Sequence, residues 1–276
     1  MHFSLLHGIV LGIVQALTEF LPISSSAHLV IVRALLHIPT LGATDLAIDA
    51  ILQLGTVLAV SVYFFNDLWH IFVHTPLHLI RKKHVDAQEK NIFWGIIIGT
   101  IPILILGLVL EHVMENLFRG LWFVALFMFF GTLFMMLAEW YTKKQRVYKK
   151  QFTVLDGLWI GLAQVLSLFS GFSRSGATIS GGLFCGFSRA DAVRFSFLLS
   201  FPAIALSGLK KLYDIIPLIT SHTLPVLPLI VGFVVSAIGG LAVIHYLLKF
   251  IRTHSFNVFI IYRLIICLVI VGILVL

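Results

Sequence analysis

Between Trp122 and Trp140 the chain runs through almost nothing but apolar side chains, with Glu139 as its one charged residue. The two tryptophans are 18 positions apart. In a helix that is about 27 Å, the depth of a bilayer's hydrocarbon core with an aromatic ring at each face. Such a run constrains the chain more than any other feature, because backbone amides at that depth must bond one another, which leaves helices or a closed barrel. Stretches of similar character, about 20 residues each, predict six spans at roughly 46–65, 91–111, 119–140, 190–209, 226–249 and 256–276. The runs are continuous rather than alternating, which excludes an outer-membrane barrel. With 59% of residues hydrophobic and 11% charged, a water-soluble enzyme and a disordered chain are excluded as well. The expected fold is an all-α integral membrane bundle.

A formal charge of +7 raises the question of nucleic acid. The lysines and arginines, however, fall in short segments between apolar runs, where they orient a membrane protein, so no nucleic-acid role is assigned. Arg81, Lys82, Lys83, Lys90, Lys143, Lys144, Arg146, Lys149, Lys150, Lys249 and Arg252 share one side, whereas Arg33, Arg119, Lys210 and Lys211 lie on the other. The positive-inside rule then puts both termini on the outer, periplasmic side of a bacterial inner membrane. The first twenty residues carry no Lys or Arg before their apolar run and no small-residue cleavage site, so they are expected to be retained. Residues 67–80 mix Trp69, Phe72 and Leu77 with His70, His74 and His78 and read as an interfacial helix, not a metal site. Cys185 and Cys267 sit in apolar runs as small hydrophobes, and no disulfide is expected.

Two further apolar regions break in the middle. Residues 4–38 are cut by Pro22-Ile23-Ser24-Ser25-Ser26, and residues 153–188 by Ser170-Gly171-Phe172-Ser173-Arg174-Ser175-Gly176. Each half is too short to span, and polar backbone at membrane depth is tolerated only inside protein or along a wet cavity, so both read as re-entrant helix–loop–helix hairpins. An ordinary kinked span is the alternative. A shift of 149 residues sets Gly12, Gln15, Leu17, Phe20, Ser24 and Ser26 on Gly161, Gln164, Leu166, Phe169, Ser173 and Ser175. Three spans follow each hairpin, and an odd number turns the second copy upside down, the inverted-topology repeat. One membrane domain over 1–276 is expected, with repeat one at about 1–140 and repeat two at about 152–276. The two serine-rich tips then meet near the midplane.

The tips carry the chemistry. A carboxylate at the depth of Glu19 is expensive and marks function, unless it merely caps a helix or pairs with an arginine. Ser24, Ser25 and Ser26 followed by His28 place hydroxyls and free amides at a helix start, which suits a phosphate oxygen. Arg174, between Ser173 and Ser175 and flanked by Gly171 and Gly176, offers a fork that matches two phosphate oxygens, with a buried ion pair to Glu19 as its structural alternative. Arg263, seven residues into the last span, either adds a second positive charge to the site or forms a structural pair. Asp49 and Asp156 are expected near helix ends, and Arg194 and His245 within reach of an interface.

Taken together, Thr18-Glu19-Phe20-Leu21-Pro22-Ile23-Ser24-Ser25-Ser26-Ala27-His28, then Gln53-Leu54-Gly55, then Gly171-Phe172-Ser173-Arg174-Ser175-Gly176-Ala177-Thr178, then Ser188-Arg189 with Phe195-Ser196-Phe197-Leu198-Leu199, resemble the undecaprenyl-diphosphate phosphatases. These are integral membrane enzymes linked to bacitracin resistance, and the likeness covers nearly the whole chain. The resemblance implies hydrolysis of a polyprenyl diphosphate to the monophosphate, a step that recycles the lipid carrier of cell-wall precursors. It also implies a divalent cation, Mg2+ or Ca2+. The family's first motif usually has two glutamates four apart; here the first is Gln15, leaving Glu19 with the carboxylate role and Gln15 with a carbonyl to offer a metal. Partners are the lipid substrate and membrane lipids, with a homo-oligomer open.

For phosphoryl transfer, Arg174 and the glycine-rich amides neutralise charge, with Ser24, Ser26, Ser173, Ser175, Gly176 and Thr178 as phosphate-binding groups. Ser25 is the expected nucleophile, Glu19 the base or metal ligand, and His28, one turn on, the acid or base. Direct attack by a Glu19-activated water stays open. So does a different class, a polyprenyl-phosphate flippase or secondary transporter, because broken helices in inverted repeats also build transporters.

Overall fold

A computed structural model describes residues 3–38, 43–117, 120–220 and 225–275. Arg119, used in the charge count, and the terminal Met1 and Leu276 lie outside the described residues. All regular structure among the described residues is helical. In chain order the α-helices are α1 (Leu5–Phe20), α2 (Ser25–Leu35), α3 (Ala43–Tyr63), α4 (Phe65–Trp69), α5 (Thr75–Ile80), α6 (Ala87–Leu117) and α7 (Leu121–Lys144). They continue as α8 (Val154–Val165), α9 (Arg174–Phe184), α10 (Arg189–Thr220), α11 (Val226–Ile251) and α12 (Asn257–Val275). Among these, 5 are long and apolar enough to cross a membrane: α6, α7, α10, α11 and α12. A sixth span is reached only by joining α3 to the segment after it, which is bent away by 86° at Phe64. That segment, 65–80, carries the three histidines and includes a π-helical turn over His70–His74. Its near-perpendicular course is the one an interfacial helix takes relative to a span.

Both expected breaks occur. Pro22 has no N–H and disfavours helical geometry in the residue before it, and Leu21 is indeed extended at φ −69°, ψ 140°. After the second break's short 3-10 turn at Leu166–Leu168, Gly171 turns at φ +102°, a region glycine enters freely. Helices restart at Ser25 and at Arg174, each preceded by a serine in the left-handed region, Ser24 at φ 75° and Ser173 at φ 77°. A non-glycine residue there is held by its surroundings at a cost of about 1–3 kcal/mol.

Small residues let helices of the two halves exchange partners. A Cβ on Gly12 of α1 would lie 2.6 Å from the Gly232 carbonyl oxygen of α11, and one on Gly161 of α8 would lie 2.1 Å from the Gly99 carbonyl oxygen of α6. Gly8 and Gly157, four residues earlier, meet Pro228 and Gly95 in the same way. These are close backbone-to-backbone crossings of the small-xxx-small kind. They carry the first broken segment onto the second half and the second onto the first.

Some local expectations change. Arg33 is buried and bonds both carboxylate oxygens of Asp49, clamping α2 to α3 instead of decorating a loop. Lys210 and Lys211 sit on α10, which continues past the sequence-expected end at 209. Asp156, by contrast, lies near a helix end as expected: it is part of a capping box with Thr153 at the start of α8 and binds Lys149 at 2.7 Å.

Candidate active site

The two tips meet. The Ser175 hydroxyl donates to the Leu21 carbonyl at 3.0 Å, and the Gly171 amide donates to the Ser26 hydroxyl at 3.3 Å. Arg263 of α12 stitches the junction from behind. Fully buried, it donates through Nη1 to the Pro22 carbonyl of the first tip at 3.2 Å and through Nη2 to the Gly171 and Phe172 carbonyls of the second at 3.2 and 3.1 Å. Nε donates to Thr132 Oγ1 and Nη2 also reaches the Met128 carbonyl of α7, both at 2.9 Å. Of the two sequence alternatives for Arg263, neither a charge offered to the site nor an ion pair describes it: the guanidinium is spent on neutral oxygens that fix the tips.

Glu19, at the last turn of α1, is the hub of the junction between them. Its Oε2 accepts from the Ser25 hydroxyl at 2.7 Å and from Gln15 Nε2 at 2.9 Å, and its Oε1 accepts from Gln53 Nε2 of α3 at 3.2 Å. Gln15 and Glu19 sit one turn apart, so one face of α1 aims both side chains at the break. Ser25 opens α2, a helix whose first amides no side chain caps, so they remain available to an anion. His28 is fixed one turn further on. Its Nδ1 must donate to the Ser24 carbonyl, 2.7 Å away, and its Nε2 lies 2.7 Å from the Tyr262 hydroxyl.

Arg174 faces Glu19 from the second tip, with Nη1 3.6 Å from Oε1. Four other ion pairs among the described residues, Arg33 with Asp49, Lys149 with Asp156, Arg189 with Glu139 and Arg194 with Asp67, are closed by direct hydrogen bonds. Arg174 is not: its Nε and Nη1 are buried and bond nothing. Two buried, unfilled donors on a half-buried cation are expensive to leave unmade. They mark a place for an acceptor that the chain itself does not supply, which separates this pair from the structural alternative.

The phosphate-binding candidates divide. Ser24 and Ser26 bridge each other at 3.2 Å, as do Ser173 and Ser175 at the same distance, and Ser173 also caps α9 by accepting from the Gly176 amide at 3.1 Å. Thr178 is turned elsewhere: its hydroxyl bonds the Arg174 carbonyl at 2.9 Å and Ser196 of α10 at 2.5 Å, bracing the helix behind Arg174. Gln53 and Tyr262 join the site without having been given roles from the sequence. A tyrosine hydroxyl within an apolar span needs a polar partner, and that was the available signal for Tyr262. As for metal ligands, no three His, Cys, Asp or Glu side chains converge among the described residues.

Residues 8–269 match the family model described as bacitracin resistance protein BacA. A protein of Chloroherpeton thalassium named undecaprenyl-diphosphatase is 42% identical over 95% of this chain and 93% of its own. Proteins of the same name from Gloeobacter violaceus (43% identical, 94% of this chain, 88% of theirs) and Chlorobium phaeovibrioides (42%, 95% and 94%) are similarly related.

Proposed function

The chain belongs to the family of the bacitracin resistance protein BacA, and on that premise we propose that it is a membrane phosphatase hydrolysing undecaprenyl diphosphate to undecaprenyl phosphate and phosphate. Relatives bearing the name undecaprenyl-diphosphatase along nearly their full length support the substrate. The observation that carries the chemistry is the open Arg174–Glu19 contact, with two unbonded guanidinium donors beside a hydroxyl already bonded to a carboxylate.

In this reading Arg174 and the uncapped amides of α2 bind the oxygens of the terminal phosphoryl group. Ser25 Oγ attacks its phosphorus while the hydroxyl proton passes to Glu19 Oε2, which it already faces. A Ser25–phosphorus bond forms, the bond from phosphorus to the bridging oxygen breaks, and undecaprenyl phosphate leaves with a proton that traces to His28. Water then splits the phosphoserine and releases phosphate. Gln15 and Gln53 hold the Glu19 carboxylate in place. A hard divalent cation, Mg2+ or Ca2+, would be held through Glu19 and a Gln15 carbonyl, both oxygen donors of the kind such ions take. When bound, it would further neutralise phosphoryl charge.

The proposal includes the inverted repeat, with repeat one at about 1–140 and repeat two at about 152–276. The left-handed serines at 24 and 173, the mirrored Ser24–Ser26 and Ser173–Ser175 bridges, and the paired glycine crossings support it. It also includes re-entrant hairpins entering from opposite faces and both termini on the periplasmic side of the inner membrane. Purified protein in detergent, with no sealed compartment, tests the enzyme reading against a transporter. Release of phosphate from undecaprenyl diphosphate is expected; release only from sealed vesicles under a gradient would overturn it.

A further inference from the structure

His28 is the natural proton donor of the cleft, yet its ring has no free edge. Nδ1 is committed to the Ser24 carbonyl, which can only accept, so the neutral ring carries its proton on Nδ1. Nε2 faces the Tyr262 hydroxyl at 2.7 Å, and the two rings lie nearly parallel, 8° apart, at a centroid separation of 5.6 Å. Tyr262 is 38% exposed whereas His28 is 9% exposed, so of the bonded pair the phenol is the more accessible group. A proton leaving Nε2 therefore meets the Tyr262 oxygen first. The neighbouring residue on α12, Arg263, bonds both tips, which fixes the phenol's position relative to the cleft.

We propose that Tyr262 is a catalytic residue that relays the proton from His28 to the leaving group; the inference rests on the hydrolase reading above. With the imidazolium protonated at both nitrogens, Nε2–H donates to the Tyr262 oxygen, and the Tyr262 hydroxyl donates to the oxygen bridging the two phosphorus atoms. As the bond from the terminal phosphorus to that oxygen breaks, the oxygen takes the phenolic proton and the phenol takes the Nε2 proton. The imidazole ends neutral with its proton on Nδ1, tyrosine is regenerated, and the monophosphate departs carrying one proton. No net charge rests on tyrosine at any point. The arrangement also gives the Nδ1 bond a purpose, because it selects the ring orientation in which Nε2 is the exchanging nitrogen.

The test compares Tyr262→Phe, His28→Ala and the double variant on farnesyl diphosphate, a short soluble diphosphate ester, and on its analogue with sulfur at the bridging position. Sulfur departs as thiophosphate without needing a proton. On the oxygen substrate Tyr262→Phe should lower kcat about a hundredfold or more, the range of general acid catalysis, with KM little changed. The double variant should be no slower than His28→Ala alone, the mark of two residues acting in series. On the sulfur substrate both single variants should approach the unmodified protein. Equal losses on the two substrates, additive losses, or an unchanged kcat in Tyr262→Phe would overturn the relay. Should His28→Ala and Glu19→Gln retain full activity on the oxygen substrate, the fault would lie with the hydrolase site itself.

Discussion

Arg174→Lys keeps the charge and removes the fork. In the structure the guanidinium forms no hydrogen bond through Nε or Nη1, and its one carboxylate contact is open at 3.6 Å. Folding therefore draws little on its hydrogen-bonding edge, whereas a phosphoryl group would use both donors. A lysine ammonium reaches as a point charge and forfeits at least one charge-assisted bond, worth about 1.5–3 kcal/mol. That corresponds to a loss of roughly ten- to 150-fold in kcat/KM. Initial rates of phosphate release in detergent, paired with a thermal unfolding curve of the same preparations, read both quantities. Reduced turnover with an unchanged midpoint is expected. Near-normal turnover would refute the anion-clamp role, and a collapse of stability with unchanged turnover would make Arg174 a structural residue.

Arg263→Lys should do the reverse. Its guanidinium serves five oxygens on three parts of the chain. An ammonium has three donors, so at least two of the five contacts are lost, at about 1.5 kcal/mol or more each for bonds to a charged group, lowering the unfolding midpoint by roughly 6–12 °C. Ser25→Ala should abolish turnover while Ser26→Ala, which loses the bond to the Gly171 amide but nothing at Glu19, should be milder; rapid quench with labelled lipid diphosphate should place phosphate on a peptide containing Ser25, and persistent absence of label with residual Ser25→Ala turnover would favour direct water attack. Impermeant thiol reagents applied from outside should reach a cysteine near either terminus and miss one at Lys149, and the opposite pattern would invert the topology.

The breaks and their chemistry were legible because both signals are local. Pro22 and the run from Ser170 to Gly176 stop a helix by covalent and conformational rules, and an ionisable side chain at membrane depth stands out against apolar neighbours. The end of the span after the first break was legible to within a few residues, because Asn66, Asp67 and the three histidines interrupt the apolar run where the interfacial helix was expected; the size of the bend, 86° at Phe64, was not. Arg263 shows a different limit. Its depth was evident, but whether a buried cation faces a substrate or a set of carbonyls depends on backbone brought from Pro22, Met128 and Gly171, over 90 residues away in every case. Tyr262 was hidden for the same reason, since its partner His28 is 234 positions distant. Arg33 likewise read as a loop cation until α3 supplied Asp49.

The account stands on Glu19 holding Ser25 within a cleft that hydrolyses a lipid diphosphate. Glu19→Gln keeps the volume and an accepting oxygen for Ser25 but removes the group that takes its proton. Products of undecaprenyl diphosphate should be resolved after equal times with the unmodified protein and with this variant, in detergent and with divalent cation supplied. The unmodified protein is expected to yield undecaprenyl monophosphate and one phosphate per lipid, and the variant at least a hundredfold less, the lower bound for loss of general base catalysis. Equal product from a folded Glu19→Gln protein would contradict the account.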